Sequence, residues 1–190
     1  LALEDNEDIW SVNALVGETN DGHLNDIRGM HITREHVLSA IHGATSGPVK
    51  EGSVGPATGT QCFGWKGGIG TSSRVLPERY GAYTLGVLVQ ASFGGVLTID
   101  GVPVGKELDQ YSYSGNGPDA DGAGSCMIVV ATDAPMDARD LKRLAARAVF
   151  GLGRTGASYG QGSGDFAIAF STSPEMRVRY GQSAPRSRKI

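Results

Sequence analysis

Residues 122–132 place one serine where a glycine-rich segment meets an apolar, β-branched run. A strand that begins at Ser125 would hold the serine hydroxyl in place as a nucleophile. The same hydroxyl could attack the carbonyl of Gly124, so that an N-to-O acyl shift cuts the Gly124–Ser125 bond. Ser125 would then carry a free α-amine that acts as its general base, and one residue would be both maturation site and catalyst. The alternative is an ordinary serine in a loop that leads into a strand.

A second hydroxyl and an acid, Ser163 and Asp165, stand at the start of another predicted strand. The helix predicted between the two strands can bring their starts side by side. Ser163 and Asp165 could then hydrogen-bond the amine and the hydroxyl of Ser125 and orient the nucleophile without a histidine. An ordinary Ser-Gly-Asp turn is the alternative.

Two further charged residues could serve a reactive centre. Glu18 follows a predicted strand and could bind a cationic group such as a substrate amine, with a solvated loop acid as the alternative. Lys66 lies among glycines beside Trp65 and could approach a reactive centre, with a solvated lysine as the commoner outcome.

The sequence does not indicate metal or cofactor chemistry. The histidines are His23, His31, His36 and His42. Two of them are six residues apart on a predicted helix, a spacing that does not put them on one face, so we expect surface or capping roles. The cysteines, Cys62 and Cys126, lack CxxC spacing and are predicted to be buried free thiols. We therefore expect no metal and no organic cofactor.

Charge and length exclude several classes of function. The 190 residues suffice for one domain, and 17 basic against 20 acidic residues give a net charge of −3. This balance offers no basic surface for nucleic acid or a membrane, and no apolar run reaches the roughly 18 residues that span a bilayer. The acidic start does not resemble a secretion signal, so we expect a cytoplasmic location. The first residue is not methionine and the end is a polar run, which predicts an internal piece of a longer protein.

The predicted elements alternate between strands and helices. Strands are expected at residues 9–16, 83–90, 96–99, from 125 onward and at 165–172, with turns around short strands over 47–73. The run 83–90 is apolar enough to be buried on both faces. One helix is capped by Thr33 and ends at Gly43, and a longer amphipathic helix begins at Asp137 and ends at Gly151 or Gly153. Residues 108–124 form a polar linker, and the whole pattern predicts one layered α+β domain.

Several segments together resemble one known family. In order along the chain they are residues 18–22, 24–29, 66–74, 86–90 and 99–105, the Ser125 strand, and residues 131–135, 151–154 and 163–165. The chain resembles the DmpA-type aminopeptidases, or L-aminopeptidase D-Ala-esterase/amidases, of peptidase family S58. These are self-cleaving N-terminal-nucleophile serine peptidases that include the β-peptidyl aminopeptidases. The resemblance implies an αββα sandwich and assembly into a homo-oligomer.

The resemblance also implies roles for individual residues. Gly124–Ser125 is the self-cleavage bond, and Ser125 is the nucleophile. Ser163 and Asp165 match the pair that supports it, although β-peptidyl members carry glutamate where this chain has Asp165. Family members are longer, so residues 1–124 correspond to the C-terminal part of the larger chain and residues 125–190 to the N-terminal part of the smaller one.

Four more positions match the surroundings of the family's nucleophile. Glu18 matches the acid that holds the free amine of the substrate, and Asn20 falls where some members place a tyrosine. Ser92 stands where the family usually has an asparagine whose amide stabilises the oxyanion, with Lys66 as a further supporting group. Loss of an oxyanion donor costs about 2.7–4 kcal/mol in the transition state. Gln90 or a backbone amide is the alternative donor.

The function implied is a self-processing serine aminopeptidase that releases an N-terminal amino acid from short peptides, amides or esters through an acyl-enzyme on Ser125. Its partners are the substrate and its own second chain. One alternative keeps the fold and changes the reaction, as in acyltransferases of the ornithine-acetyltransferase type and amidases for pantetheine-like or nylon-oligomer amides. Another is an uncleaved, non-catalytic relative.

Overall fold

The computed structural model describes residues 6–111, 114 and 124–177. In this part of the chain the α-helices are α1 (Arg34–His42), α2 (Val104–Glu107) and α3 (Ala138–Arg154). The strands are β1 (Gln61–Cys62), β2 (Trp65–Lys66), β3 (Gly68–Val75), β4 (Thr84–Ser92), β5 (Gly124–Thr132) and β6 (Ser163–Ser171). Single 3-10 turns cover Gly55–Thr58, Glu78–Tyr80 and Pro174–Met176.

A four-stranded sheet in the order β3-β4-β5-β6 forms the centre of the structure. Neighbouring strands are antiparallel from β3 to β5, whereas β5 and β6 run parallel. Parallel neighbours need a long crossover, and the 17-residue α3 supplies it. β1 and β2 form a separate two-stranded hairpin. The parallel pairing brings the starts of β5 and β6 side by side, as the sequence predicts.

The two faces of β5 have different roles because successive side chains of a strand point in opposite directions. Cys126, Ile128 and Val130 are almost completely buried and form the core with Phe93 and Leu152. Alanines of β6 and apolar residues of α3 pack against the same cluster. Ser125 and Met127 lie on the opposite face, so the register of β5 separates a packed core from a polar site.

The longer helix begins as predicted and ends later. Asp137 caps α3, and its carboxylate accepts a hydrogen bond from the backbone N–H of Asp140 at 2.9 Å. The expected end at Gly151 or Gly153 is wrong, because both glycines lie inside the helix, which ends at Arg154. Two residues beyond this end is Gly156, where φ is +91° and a Cβ would lie 1.7 Å from the carbonyl oxygen of Val96.

Two predicted strands are wrong. Residues 9–16 form no strand, and Trp10 and Val16 are 92% and 86% exposed. Alternating apolar residues form a strand only when a neighbouring strand offers hydrogen-bond partners, and the described part of the chain provides none beside this segment. Residues 96–99 instead hydrogen-bond to the two residues that follow α3. The Val96 N–H donates to the Gly156 oxygen at 2.9 Å, and the Thr98 N–H donates to the Thr155 oxygen at 2.8 Å.

The other predicted strands and helices are present, with differences in their bounds and burial. The strand predicted at 83–90 is β4, which is half-buried over most of its length rather than buried on both faces. β6 begins at Ser163, so residues expected in its approach loop are part of the strand. α1 follows Thr33 and ends before Gly43, as predicted, and the sequence does not predict α2. Most of the predicted linker 108–124 lies outside the described residues.

No helix in the described part of the chain is both long and apolar enough to cross a membrane.

Both cysteines are free thiols, as predicted, but only Cys126 is buried, whereas Cys62 is partly buried against the core. Burial raises the pKa of the Cys126 thiol to about 12, and the negative charge of Asp165 adds to this effect. Burial likewise raises the pKa of Cys62 to about 11. The thiolate is the reactive form, so its fraction at a given pH falls about tenfold for each unit by which the pKa rises.

We therefore predict that the full-length folded protein reacts slowly with a thiol reagent such as dithionitrobenzoate at pH 8. Both thiols should react at least about tenfold more slowly than in urea, where they regain an ordinary pKa. Labelling of Cys126 at the same rate in the folded and unfolded protein would contradict the buried position of this residue.

Candidate active site

The register of three strands brings the candidate residues to one end of the sheet. Ser125 on β5 lies opposite Ser92 on β4 and beside Gly164 on β6. Side chains at paired positions point to the same face. The nucleophile candidate therefore lies on the face opposite α3, between the end of β4 and the start of β6.

The Ser125 hydroxyl is held by the backbone of β6. The N–H of Gly164 donates to Ser125 Oγ at 3.4 Å. A Cβ at position 164 would lie 3.0 Å from the Phe166 ring and 3.6 Å from Ser125 Oγ. A side chain at position 164 would therefore crowd the Phe166 ring, whereas its distance from the half-buried Ser125 hydroxyl would be that of an ordinary contact.

Gly124 can be no other residue in this packing. A Cβ there would lie 2.4 Å from both the Phe93 Cα and the Ser92 carbonyl oxygen, and backbone atoms cannot move aside cheaply. The Gly124–Ser125 peptide is therefore pressed against the end of β4. This tight packing fixes the backbone of Gly124 at the start of β5.

Ser163 and Asp165 lie on the other face of the sheet from the Ser125 side chain. Asp165 pairs with Cys126, the residue after Ser125, and its Oδ2 accepts a hydrogen bond from the Ser163 hydroxyl at 3.0 Å. The sequence predicts that this pair also contacts the Ser125 hydroxyl. Within the described residues that contact comes from Gly164 instead, because alternate residues of β6 face opposite sides.

The second oxygen of Asp165, Oδ1, is buried and accepts no hydrogen bond from any described residue. A buried carboxylate oxygen without a donor is unfavourable and requires a physical explanation. On the neighbouring strand, Asp165 lies one position beyond Gly164, the residue that pairs with Ser125.

Residues 17–20, which we call the strap, lie across the face that carries Ser125. Gln90 Nε2 donates to the Thr19 hydroxyl at 2.6 Å, and both side chains are buried. The Ser92 hydroxyl donates to the Asn20 carbonyl oxygen at 3.3 Å. A Cβ on Gly17 would lie 2.2 Å from Met127 Cε, so the Met127 side chain packs directly on the strap. Glu18 is held between these contacts with an exposed carboxylate.

Two cavities meet at Ser125. The first, of about 640 Å³, also contains Asn20 and Ser92, and its charged lining residues include Asp26 and Arg28. The second, of about 510 Å³, joins Ser125 to Glu18 between apolar walls. Those walls include Leu15, Val16, Met127, Phe166 and Ile168. A molecule bound across Ser125 would therefore have one end beside the Glu18 carboxylate and the other in the more polar cavity.

Of the two remaining site candidates, Asn20 lies in a cavity beside Ser125 and Lys66 does not. Asn20 lies in the first cavity, and its side-chain oxygen accepts the N–H of Gly22 at 2.9 Å. Lys66 is not at the site, because its ammonium donates to the carbonyl oxygens of Ala57, Thr60 and Gly67. Three N–H donors are all that a lysine has, so Lys66 is a structural group that ties the segment before β1 to β2.

The histidines take the surface and capping roles that the sequence predicts. His36 Nδ1 accepts the backbone N–H of Thr33 at 3.0 Å and so caps α1. His31 pairs with Asp26 at 3.3 Å, and this hydrogen bond lowers the pKa of the Asp26 carboxyl. A search of the described residues finds no three His, Cys, Asp or Glu side chains grouped to hold a metal ion.

Sequence patterns missed the contacts of the strap. Thr19 and Gln90 are 71 residues apart, and no local motif links a threonine in a loop to a glutamine inside a strand. The available signal was Gln90 itself, because a polar residue at the end of an apolar strand needs a hydrogen-bond partner when it is buried.

Comparison with known proteins gives consistent matches. The model of peptidase family S58 matches residues 2–189. The β-peptidyl aminopeptidase BapA of Sphingosinicella microcystinivorans is 51% identical over 170 residues, which are 83% of this chain and 43% of BapA. A protein of Pyrococcus horikoshii has a crystal structure that matches with a TM-score of 0.84 at 47% identity, over 98% of this chain and 51% of that one.

A third match bears on the fold. The L-aminopeptidase D-Ala-esterase/amidase of Ochrobactrum anthropi, described as a prototype for the serine aminopeptidases and a new variant among the Ntn hydrolase fold, matches with a TM-score of 0.74 at 44% identity. It confirms the predicted layered fold of the N-terminal-nucleophile type. The match covers 87% of this chain and 44% of that protein, so the chain spans about half, or less, of the length of these relatives.

The position of Lys66 predicts the effect of removing its charge. In the full-length protein, Lys66→Met should lower the free energy of unfolding by about 1.5–3 kcal/mol, because it leaves three carbonyl oxygens without their donor. Lys106→Met, at an exposed position of α2, is the matched control and should change stability by less than about 0.5 kcal/mol. Urea denaturation measures both. A Lys66→Met protein of unchanged stability that has lost activity would place Lys66 in the chemistry instead.

Proposed function

The chain belongs to peptidase family S58, and we propose that it is part of a self-processing serine aminopeptidase. The observation that carries the proposal is the position of Ser125, where a half-buried hydroxyl lies at the junction of two cavities and follows directly on a tightly packed glycine. These features fit a serine that first cuts its own chain and then attacks a substrate.

Self-cleavage would begin with attack of Ser125 Oγ on the carbonyl carbon of Gly124. The C–N bond breaks as the C–O bond forms, the hydroxyl proton passes to the departing nitrogen, and the product is an ester. Water then hydrolyses the ester, giving a Gly124 carboxylate and a Ser125 with a free amine and a free hydroxyl. Residues 1–124 and 125–190 would remain associated through the ladder between β4 and β5.

The free amine of Ser125 gives Asp165 a role. The unsatisfied Oδ1 of Asp165 would accept a hydrogen bond from the new ammonium group, while Oδ2 keeps its bond to Ser163. A charge-assisted hydrogen bond of this kind is stronger than a neutral one. Asp165 and Ser163 would thus hold the amine beside the Ser125 hydroxyl, where its neutral form can act as the general base.

Substrate cleavage would use the same groups. The Glu18 carboxylate pairs with the free amine of the substrate and places the scissile carbonyl next to Ser125 Oγ. The Ser125 amine takes the hydroxyl proton and passes it to the leaving group, which leaves an acyl-enzyme that water hydrolyses. The Ser92 hydroxyl could turn from its long bond to Asn20 toward the oxyanion, and so take the place of an amide donor.

The relatives suggest the class of substrate. The BapA match is named a β-peptidyl aminopeptidase, and the Ochrobactrum anthropi match is named for L-aminopeptidase and D-Ala-esterase/amidase activities. We infer that this protein takes short peptides, amides or esters that have an unblocked amino end. The apolar walls of the cavity beside Glu18 favour an apolar side chain on the released amino acid.

Intact-mass spectrometry of the full-length protein tests the proposal, together with hydrolysis of an aminoacyl p-nitroanilide. The wild-type protein should separate into two species cut between Gly124 and Ser125. Ser125→Ala should remain one chain and lose at least about a thousandfold in rate. Ser73→Ala, at an exposed position on β3, is the control and should be cut and active like the wild type.

Three outcomes would contradict the proposal. An intact wild-type chain that still hydrolyses the anilide would exclude self-cleavage as the activating step. A wild-type chain that is neither cut nor acylated by a serine-directed reagent would indicate a non-catalytic relative. Transfer of the acyl group to ornithine in preference to water would favour the acyltransferase alternative.

A further inference from the structure

Four neighbouring side chains of β4 and β5 form a square on one face of the sheet, and the strap contacts three of them. β4 and β5 pair Gln90 with Met127 and Ser92 with Ser125, so these four side chains point to one face. Met127 contacts Gly17, Gln90 contacts Thr19, and Ser92 contacts Asn20. The fourth corner is Ser125, which the strap leaves free.

This arrangement fixes the backbone on both sides of Glu18. Gly17 lies against Met127, and any side chain at position 17 would displace the end of the Met127 side chain. Thr19 is 6% exposed and Gln90 is 8% exposed, and their side chains are joined by a hydrogen bond of 2.6 Å. Glu18, between Gly17 and Thr19, shares a cavity with Ser125.

We propose that Thr19 and Gln90 are positioning residues that set the place of the Glu18 carboxylate relative to Ser125, and thereby the preference for substrates with a free amine. The proposal rests on the proposed function, because it assigns Glu18 the substrate amine and Ser125 the attack. It adds that the strength of amine recognition depends on a buried hydrogen bond that touches neither the substrate nor the nucleophile.

The hydrogen bond between Thr19 and Gln90 can control the position of the Glu18 carboxylate. The Glu18 carboxylate is exposed, and no ion pair with a described residue holds it in place. Its position therefore depends on its backbone, which Thr19 anchors. A displacement of about 1 Å in a positioning group can cost about a hundredfold in rate. Breaking the Thr19–Gln90 hydrogen bond is also unfavourable in free energy, since either partner alone would be a buried, unsatisfied polar group.

The same bond could instead serve stability alone, and the two roles make different predictions. A stability role would lower the melting temperature and leave the kinetic constants of the folded fraction unchanged. A positioning role would raise KM for substrates that carry an amine, relative to substrates that carry none.

The test uses the full-length, processed enzyme and the ratio of kcat/KM for an aminoacyl p-nitroanilide to kcat/KM for p-nitrophenyl acetate, which has no amine. Thr19→Val removes the hydroxyl at constant shape and should lower this ratio by about 10–100-fold, mainly through KM. Thr19→Ser keeps the hydroxyl and should restore most of the ratio. Gln90→Met, which removes the other partner, should act like Thr19→Val, and it serves as the test variant if Thr19→Val does not fold.

Thr132→Val is the matched control. Thr132 is 5% exposed and lies at the far end of β5, where its hydroxyl donates to the Thr84 carbonyl oxygen at 2.8 Å. Its loss should lower the melting temperature without changing the ratio. An unchanged ratio in Thr19→Val or Gln90→Met would overturn the positioning role, as would an equal fall in Thr132→Val.

Glu18→Gln separates this inference from the proposed function. If Glu18→Gln lowers the ratio and the Thr19 and Gln90 variants do not, the positioning role fails and the proposed function stands. If Glu18→Gln leaves the ratio unchanged, Glu18 does not bind the amine, and the positioning role falls together with the role of Glu18, while self-processing at Ser125 stands. If the wild-type protein is not cut at Ser125 and turns over neither substrate, the proposed function itself fails.

Discussion

The register of β5 between β4 and β6 is the constraint on which the rest of the structure depends. A slip of one residue would turn Ser125 toward α3 and bring Cys126 to the site, because the side chains of a strand alternate between two faces. Burial of Cys126, Ile128 and Val130 opposes such a slip. So does Gly124, since its backbone fits against β4 only without a side chain. Packing on one face thus sets the chemistry available on the other.

The site combines groups from both faces of the sheet. The Ser125 hydroxyl and the strap lie on the open face, whereas Asp165 and Ser163 lie on the side of the core and meet β5 at its backbone. A carboxylate in that position lies on the face away from the hydroxyl, and under the proposed mechanism it would bind the amine that self-cleavage creates at Ser125. The unsatisfied oxygen of Asp165 is then a feature of the uncut chain that cleavage would relieve.

Local patterns in the sequence predict the centre of the sheet well. The strand that starts at Ser125, the Asp137 cap and the following strand are visible as apolar and capping patterns, and a helix between parallel strands brings their starts together. The strand predicted at residues 9–16 is wrong, because an alternation of apolar and polar residues does not reveal whether a partner strand is present. The hydrogen bonds of Lys66 and of the strap are not visible in the sequence, because they join residues from separate loops and strands.

The most direct measurement of the central claim is a high-resolution crystal structure of the full-length, active protein. The account predicts a break between Gly124 and Ser125, with the new amine of Ser125 within about 3.2 Å of Asp165 Oδ1 or Ser163 Oγ and the β5 register unchanged. A continuous peptide at this bond in an active protein would contradict it, as would a Ser125 amine directed away from Asp165.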